Sequence, residues 1–103
     1  MYNKYHAVKT EVDGYIFDSK AEARRYEYLK IMEAAGQITD LELQPKYPLL
    51  VNGKKVATYI ADFRYKMAGR IYVEDVKGMK TAVYNLKKKM MKAQYNIEIY
   101  ETS

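Results

Sequence analysis

Two periods divide this chain. From about Lys20 to Ala35, and again from about Thr81 to Tyr95, the residues favour helix; most of what remains alternates apolar and polar positions. The first helical stretch is rich in Ala, Glu, Arg, Leu and Met. Asp18-Ser19 supplies an N-cap, and Gly36 stands where a C′ glycine belongs. Its expected inner stripe is Tyr28, Leu29, Met32 and Ala35. The alternating segments predict strands at His6–Val12, Tyr15–Phe17, Ile38–Leu43, Tyr47–Val51, Lys55–Tyr65, Ile71–Lys77 and Ile97–Tyr100, after a loose terminus at Met1–Tyr5. Asp13-Gly14, Asn52-Gly53 and Lys66-Met67-Ala68-Gly69 are the turn signals between paired strands. A short hairpin, a helix, three or more strands, a helix and a closing strand predict an α/β class fold, an α+β-like mixed sheet carrying both helices. One domain spanning 1–103 is expected at this length.

Composition narrows the classes. A chain with 49% hydrophobic and 30% charged residues reads as globular rather than disordered. No apolar run approaches the roughly 20 residues that span a bilayer, so no membrane partner is expected. The polar, tyrosine-rich N-terminus does not read as a signal peptide, and a cytoplasmic protein is the simplest expectation. The absence of cysteine excludes disulfides and thiolate zinc sites. A net charge of +5 favours a polyanionic partner, nucleic acid above all. Tyrosine is unusually frequent, at 12 residues against 2 phenylalanines and no tryptophan. Tyrosine stacks on bases, but it is also a common strand residue, so most of these are structural.

Candidate chemistry gathers in Tyr72-Val73-Glu74-Asp75-Val76-Lys77-Gly78. Residues two apart on a strand share a face, so Asp75 stands beside Lys77 on an otherwise apolar segment. If Ala68-Gly69 forms a two-residue turn, Met67 pairs with Arg70 and Asp62 falls opposite Asp75. Facing like charges destabilise a sheet, and a divalent cation with oxygen ligands would neutralise them. The bland alternative is a surface ion pair on an edge strand, worth ~0–1 kcal/mol. A second acid-x-lysine triplet, Asp18-Ser19-Lys20, is explained by capping alone. Glu74 points away from Asp75 and reads as solvated or paired rather than as a ligand. Gln44, before Pro45 at a strand end, could support the site or cap a loop. His6, the only histidine, reads as a surface residue.

These residues and their order resemble the PD-(D/E)XK nuclease superfamily, which places a glutamate on the first helix, an aspartate on the second core strand and a (D/E)-x-K motif on the third. The matching residues are Glu22 in Ser19-Lys20-Ala21-Glu22, Asp62 in Ile60-Ala61-Asp62-Phe63, and Asp75-Val76-Lys77. Phe17-Asp18-Ser19-Lys20, Leu43-Gln44-Pro45-Lys46 and Val73-Glu74-Asp75-Val76-Lys77-Gly78 look like phrases of a family of small phage-encoded proteins of that superfamily, and the spacing of acids is similar to that of Holliday-junction-resolving endonucleases. Ala61 stands where the superfamily usually has proline, and Asp75 where glutamate is commoner.

The resemblance implies a restriction-endonuclease-like αβββαβ core preceded by a short N-terminal hairpin. It also implies metal-dependent hydrolysis of DNA phosphodiesters, with Mg²⁺ or Mn²⁺ held by Asp62, Asp75 and the backbone carbonyl of Val76. Lys77 would orient water or offset developing charge. Glu22 would hold a second ion or position a water. Equally, Ser19-x-x-Glu22 fits a capping box that involves no chemistry. Arg24, Arg25, Lys80, Lys87, Lys88, Lys89 and Lys92 are the candidates for phosphate contact, against a solvated basic face. Branched DNA such as a four-way junction, cut by a homodimer in phage recombination or replication within the host cytoplasm, is the implied setting. Two other classes compete: a non-catalytic nucleic-acid-binding accessory protein that keeps the fold, and an assembly protein with a tyrosine-rich contact surface.

Overall fold

The computed structural model describes residues 8–103. The expected loose terminus, His6 and the start of the first strand lie outside the described residues. The chain forms β1 (Thr10–Val12), β2 (Tyr15–Phe17), α1 (Lys20–Ala34), β3 (Thr39–Leu43), β4 (Lys46–Val51), β5 (Lys54–Ile60), β6 (Phe63–Met67), β7 (Arg70–Val76), α2 (Ala82–Tyr95) and β8 (Ile99–Thr102). A four-stranded sheet runs in the order β3-β6-β7-β8. Its β7–β8 pair is parallel and the others antiparallel, so the sheet is mixed, as expected. β1 pairs with β2, and β4 with β5, as separate two-stranded sheets. No helix among the described residues is long and apolar enough to cross a membrane.

Each face of the sheet carries its own core. Ala23, Tyr26 and Leu29 of α1 pack with Phe63 and Tyr65 of β6 and with Phe17 and Ile38. Tyr84 and Met91 of α2 pack on Val73 and Ile99, with Leu49, Tyr59 and Ala61 alongside. α1 begins at Ser19, whose Oγ accepts the Glu22 N–H at 3.1 Å. The inner stripe is rotated from the one predicted. Glu22, Ala23, Tyr26 and Leu29 are buried, whereas Tyr28 is 50% exposed. The true stripe follows the helical spacing but includes an acid, which a purely hydrophobic reading steps around.

The single long strand predicted over Lys55–Tyr65 is instead two strands, β5 and β6, in different sheets. The register never slips at the join. Lys46↔Ile60 on one side and Leu43↔Phe63 on the other lie on one continuous antiparallel ribbon. Gln44 N–H donates to the Asp62 carbonyl at 3.0 Å, and Ala61 N–H to the Pro45 carbonyl at 3.1 Å. The ribbon bends here because Gln44 adopts a left-handed conformation, φ 52°, and Pro45 has no N–H to donate. Tyr59 and Ala61 therefore serve the α2 core, while Phe63 and Tyr65, next in the same alternation, serve the α1 core. The closing strand also starts later than predicted, at Ile99. Asn96 caps α2 in the left-handed region, and the Ile97 N–H still bonds the helix end.

Candidate active site

β7 lies between β6 and β8, so Asp75 is not on an edge strand. Asp75 is 1% exposed. A surface ion pair is therefore the wrong description. Its Oδ2 accepts the Tyr59 hydroxyl, and the Lys77 ammonium stands 4.0 Å from the same oxygen. A fully desolvated carboxylate needs such partners, since burying it alone is prohibitively costly.

The β6–β7 hairpin has the two-residue turn predicted, with Met67↔Arg70 leading to Phe63↔Glu74. One residue further the ladder breaks. Asp62 N–H donates to the Glu74 carbonyl at 3.1 Å, and Asp62 Oδ2 accepts the Val76 N–H at 2.7 Å. Asp62 is thus not a ladder partner of Asp75, contrary to the extrapolated register. Its side chain, released by the bend, takes the place of a backbone acceptor and still lies against Asp75. Gln44 contributes through its main chain, which holds the Asp62 carbonyl; its side chain is exposed.

Of the proposed capping box, only the bond from the Glu22 N–H to Ser19 is present among the described residues, not the return bond from its carboxyl. That carboxyl is hydrogen-bonded to Asp62. Burial, then the charges of Asp75 and Glu22, push the Asp62 carboxyl up to about 9. Burial, then the charge of Asp18, raises Glu22 as well. Carboxylates hydrogen-bond one another only by sharing a proton. Burial and mutual repulsion thus favour the protonated form of Asp62 within the cluster of Glu22, Asp62 and Asp75. Among the described residues no three His, Asp or Glu side chains form a cation cage by themselves. Mg²⁺ does not require one: it is bound through one or two carboxylates, waters and substrate phosphate. Asp62 and Asp75 fit that donor set.

A family model described as "Protein of unknown function (DUF1064)" matches residues 2–101. The chain belongs to the DUF1064 family. No curated protein and no solved structure matches it.

In this DUF1064 chain most of the residues expected at phosphates have partners within the chain. Arg25 forks onto buried Glu74 at 2.6 and 2.9 Å. The Glu74 hydrogen bond raises the guanidinium above its ordinary value. Glu74, on the α1 face, also accepts from Tyr65 at 2.7 Å and Thr102 at 3.2 Å; it is paired rather than solvated. Lys87 donates to the Thr58 carbonyl at 3.0 Å. Lys80 and Lys88 hold Glu101 at 3.0 and 3.2 Å, and Lys92 reaches Glu98 at 3.5 Å. Arg24 and Lys89 are exposed and in none of the ion pairs among the described residues. Sequence reasoning missed Tyr59, Tyr84 and Glu101. Tyr59 had one signal, a hydroxyl at an inward position of the alternating ribbon. Glu101 had none, because only the parallel register Asp75↔Glu101 brings it to the site.

Proposed function

We propose that this chain is a divalent-metal-dependent endonuclease of the PD-(D/E)XK kind, acting on branched DNA. The observation that carries this reading is the convergence of Asp62 and Asp75, one pushed up to about 9 and the other 1% exposed, with Lys77 as the adjoining cation. Desolvated acids beside a lysine are costly for a fold to keep and mark functional sites. Asp62, Asp75 and the Val76 carbonyl would hold Mg²⁺ or Mn²⁺. Such an ion, when bound, lowers the pKa of its water and stabilises charge on a phosphate. Lys77 supplies positive charge where the scissile phosphate would build up negative charge. Glu22 takes up or returns a proton through its hydrogen bond with Asp62.

The test is cleavage of a labelled four-way junction beside a linear duplex of matching sequence, with Mg²⁺ or with a chelator. Asp75→Asn is the control, because an amide at this position still accepts the Tyr59 hydroxyl. Metal-dependent cutting of the junction, lost in Asp75→Asn, is expected, and two symmetric cuts would indicate a homodimer. Cutting that survives in Asp75→Asn sinks the assignment.

One observation favours the accessory-binder reading. Tyr59 and the Val76 N–H already satisfy Asp75 and Asp62, so a shared proton can serve in place of a cation. That reading expects salt-sensitive DNA binding with no metal requirement and no cleavage.

A further inference from the structure

Lys77 lies just past the end of β7, where no strand neighbour fixes its side chain. Its N–H donates to the Thr102 carbonyl at 2.8 Å, which pins the backbone to β8. The flexible side-chain stem is not fixed by that bond. The ammonium nevertheless has a defined place, 4.0 Å from Asp75 Oδ2 and 4.4 Å from the centroid of the Tyr84 ring. A cation over a tyrosine face is attracted by the ring quadrupole, more strongly where water is excluded.

The ring is itself held. Tyr84 enters from the first turn of α2, its N–H bonded to the capping Thr81 Oγ1 at 3.1 Å, and it is buried. Its hydroxyl donates to Glu101 Oε2 at 2.6 Å. Glu101 stands beside Asp75 in the parallel register, and Lys80 and Lys88 neutralise it. The Tyr84 hydrogen bond, then the two ammoniums, hold the Glu101 carboxyl down to about 2, so it remains an acceptor at any working pH.

We infer that Tyr84, anchored by its hydroxyl to Glu101, is a positioning residue that aims the Lys77 ammonium toward the mouth of the acid cluster. An ammonium drawn only by Asp75 would close to hydrogen-bond contact and be spent on the carboxylate. The ring face holds it back and leaves its protons free for a phosphate oxygen. Lys80 and Lys88 then serve the site by holding the Glu101 carboxylate where Tyr84 reaches it. The catalytic part of this inference rests on the nuclease reading; the geometric part does not.

The experiment is NMR of the Lys77 Cε methylene protons with chelator present, assigned by their loss in Lys77→Arg, alongside single-turnover junction cleavage with Mg²⁺. The expected wild-type signal is shifted upfield by the Tyr84 ring current. It should return to an ordinary lysine position in Tyr84→Leu, and the shift should shrink in Tyr84→Phe, where the ring loses its anchor. Cleavage should fall about tenfold in Tyr84→Leu with substrate affinity unchanged. An unshifted wild-type signal, or a shift that survives Tyr84→Leu, overturns the inference. If Tyr84→Leu does not fold, Tyr84→Phe decides: wild-type shift and rate in that variant remove the Glu101 anchor. If the wild type cuts nothing while the shifts follow this pattern, the hold of Tyr84 on Lys77 stands and the nuclease reading fails.

Discussion

Glu74 and Asp75 are consecutive, both fully buried, and project from opposite faces of β7 into different electrostatic surroundings. Glu74 meets a forked arginine and two hydroxyls, and its charge is neutralised within the α1 core. Asp75 meets one phenol, a lysine at 4.0 Å and two further acids. The first arrangement is closed by a cation, whereas the second crowds three acids around one lysine, which raises the Asp62 and Glu22 carboxyls. This asymmetry makes Glu74 a structural acid and leaves Asp75 the one that the proposed chemistry would use.

Removing Arg25 tests the structural half. Arg25→Met leaves Glu74 buried without its cation and is expected to cost about 3–5 kcal/mol. Adding Glu74→Gln, whose amide oxygen still accepts from Tyr65 while its NH2 can donate to the Thr102 hydroxyl, should recover more than half of that. Urea unfolding of the two variants decides. Equal stability in the single and double variants would mean that the ion pair is not what Arg25 provides.

Asp62 should make the metal-free protein less stable as the pH rises. Its carboxyl ordinarily titrates near 3.8 but is raised to about 9 in the fold. Between those values the folded state keeps a proton that the unfolded chain has released. The contribution is therefore full below about pH 4, falls by at most about 1.4 kcal/mol per pH unit as pH rises, and is gone near pH 9. Asp62→Asn removes this slope and should be the more stable protein at alkaline pH. Urea midpoints in chelator from about pH 5 to about pH 9 measure it. Parallel pH profiles for the two proteins would contradict it.

A cation entering the cluster must displace the shared proton. Titration of the protein with Mg²⁺ near neutral pH should therefore release about one proton per ion, read as a heat that varies with the ionisation enthalpy of the buffer. In Asp62→Asn binding should weaken and the buffer dependence vanish. Identical heats in every buffer would show that no proton leaves.

The bend at Gln44-Pro45 should tolerate glycine and resist β-branching. Gln44 sits at φ 52°, so Gln44→Gly should be neutral or stabilise by up to ~1 kcal/mol. Gln44→Val should destabilise by ~1–2 kcal/mol, since a branched Cβ is strained there. Thermal melts compare the two. A Val variant as stable as wild type would show that the left-handed conformation is not what turns the ribbon.

The basic residues should separate by their partners. Arg24→Ala and Lys89→Ala are each expected to reduce the salt dependence of DNA affinity by about one phosphate contact. Lys87 is spent on the Thr58 carbonyl, so Lys87→Ala should lower stability and leave the salt slope unchanged. Equal salt slopes for all three variants would undo this division.

Much of this protein is local and was therefore legible in the sequence. The cap at Ser19, the glycine after α1, the Asn52-Gly53 and Ala68-Gly69 turns and the period of each strand depend on residues within a few positions of one another. They sufficed for the mixed sheet with two helices and for the pairing of Asp75 with Lys77. The bend after Ile60 was not legible, because the alternation Tyr59, Ala61, Phe63, Tyr65 continues through it unbroken. A period reports which residues turn inward but not which core receives them. The sequence also counted positive charges without their partners. Arg25 lies 49 residues from Glu74, and Lys80 and Lys88 meet Glu101 only because β8 joins the sheet parallel to β7. The sequence by itself determined which residues carry charge and which segments extend or coil. Tertiary structure alone decided which acids are neutralised and which are left together, because that balance depends on contacts the chain makes only after it has crossed the sheet.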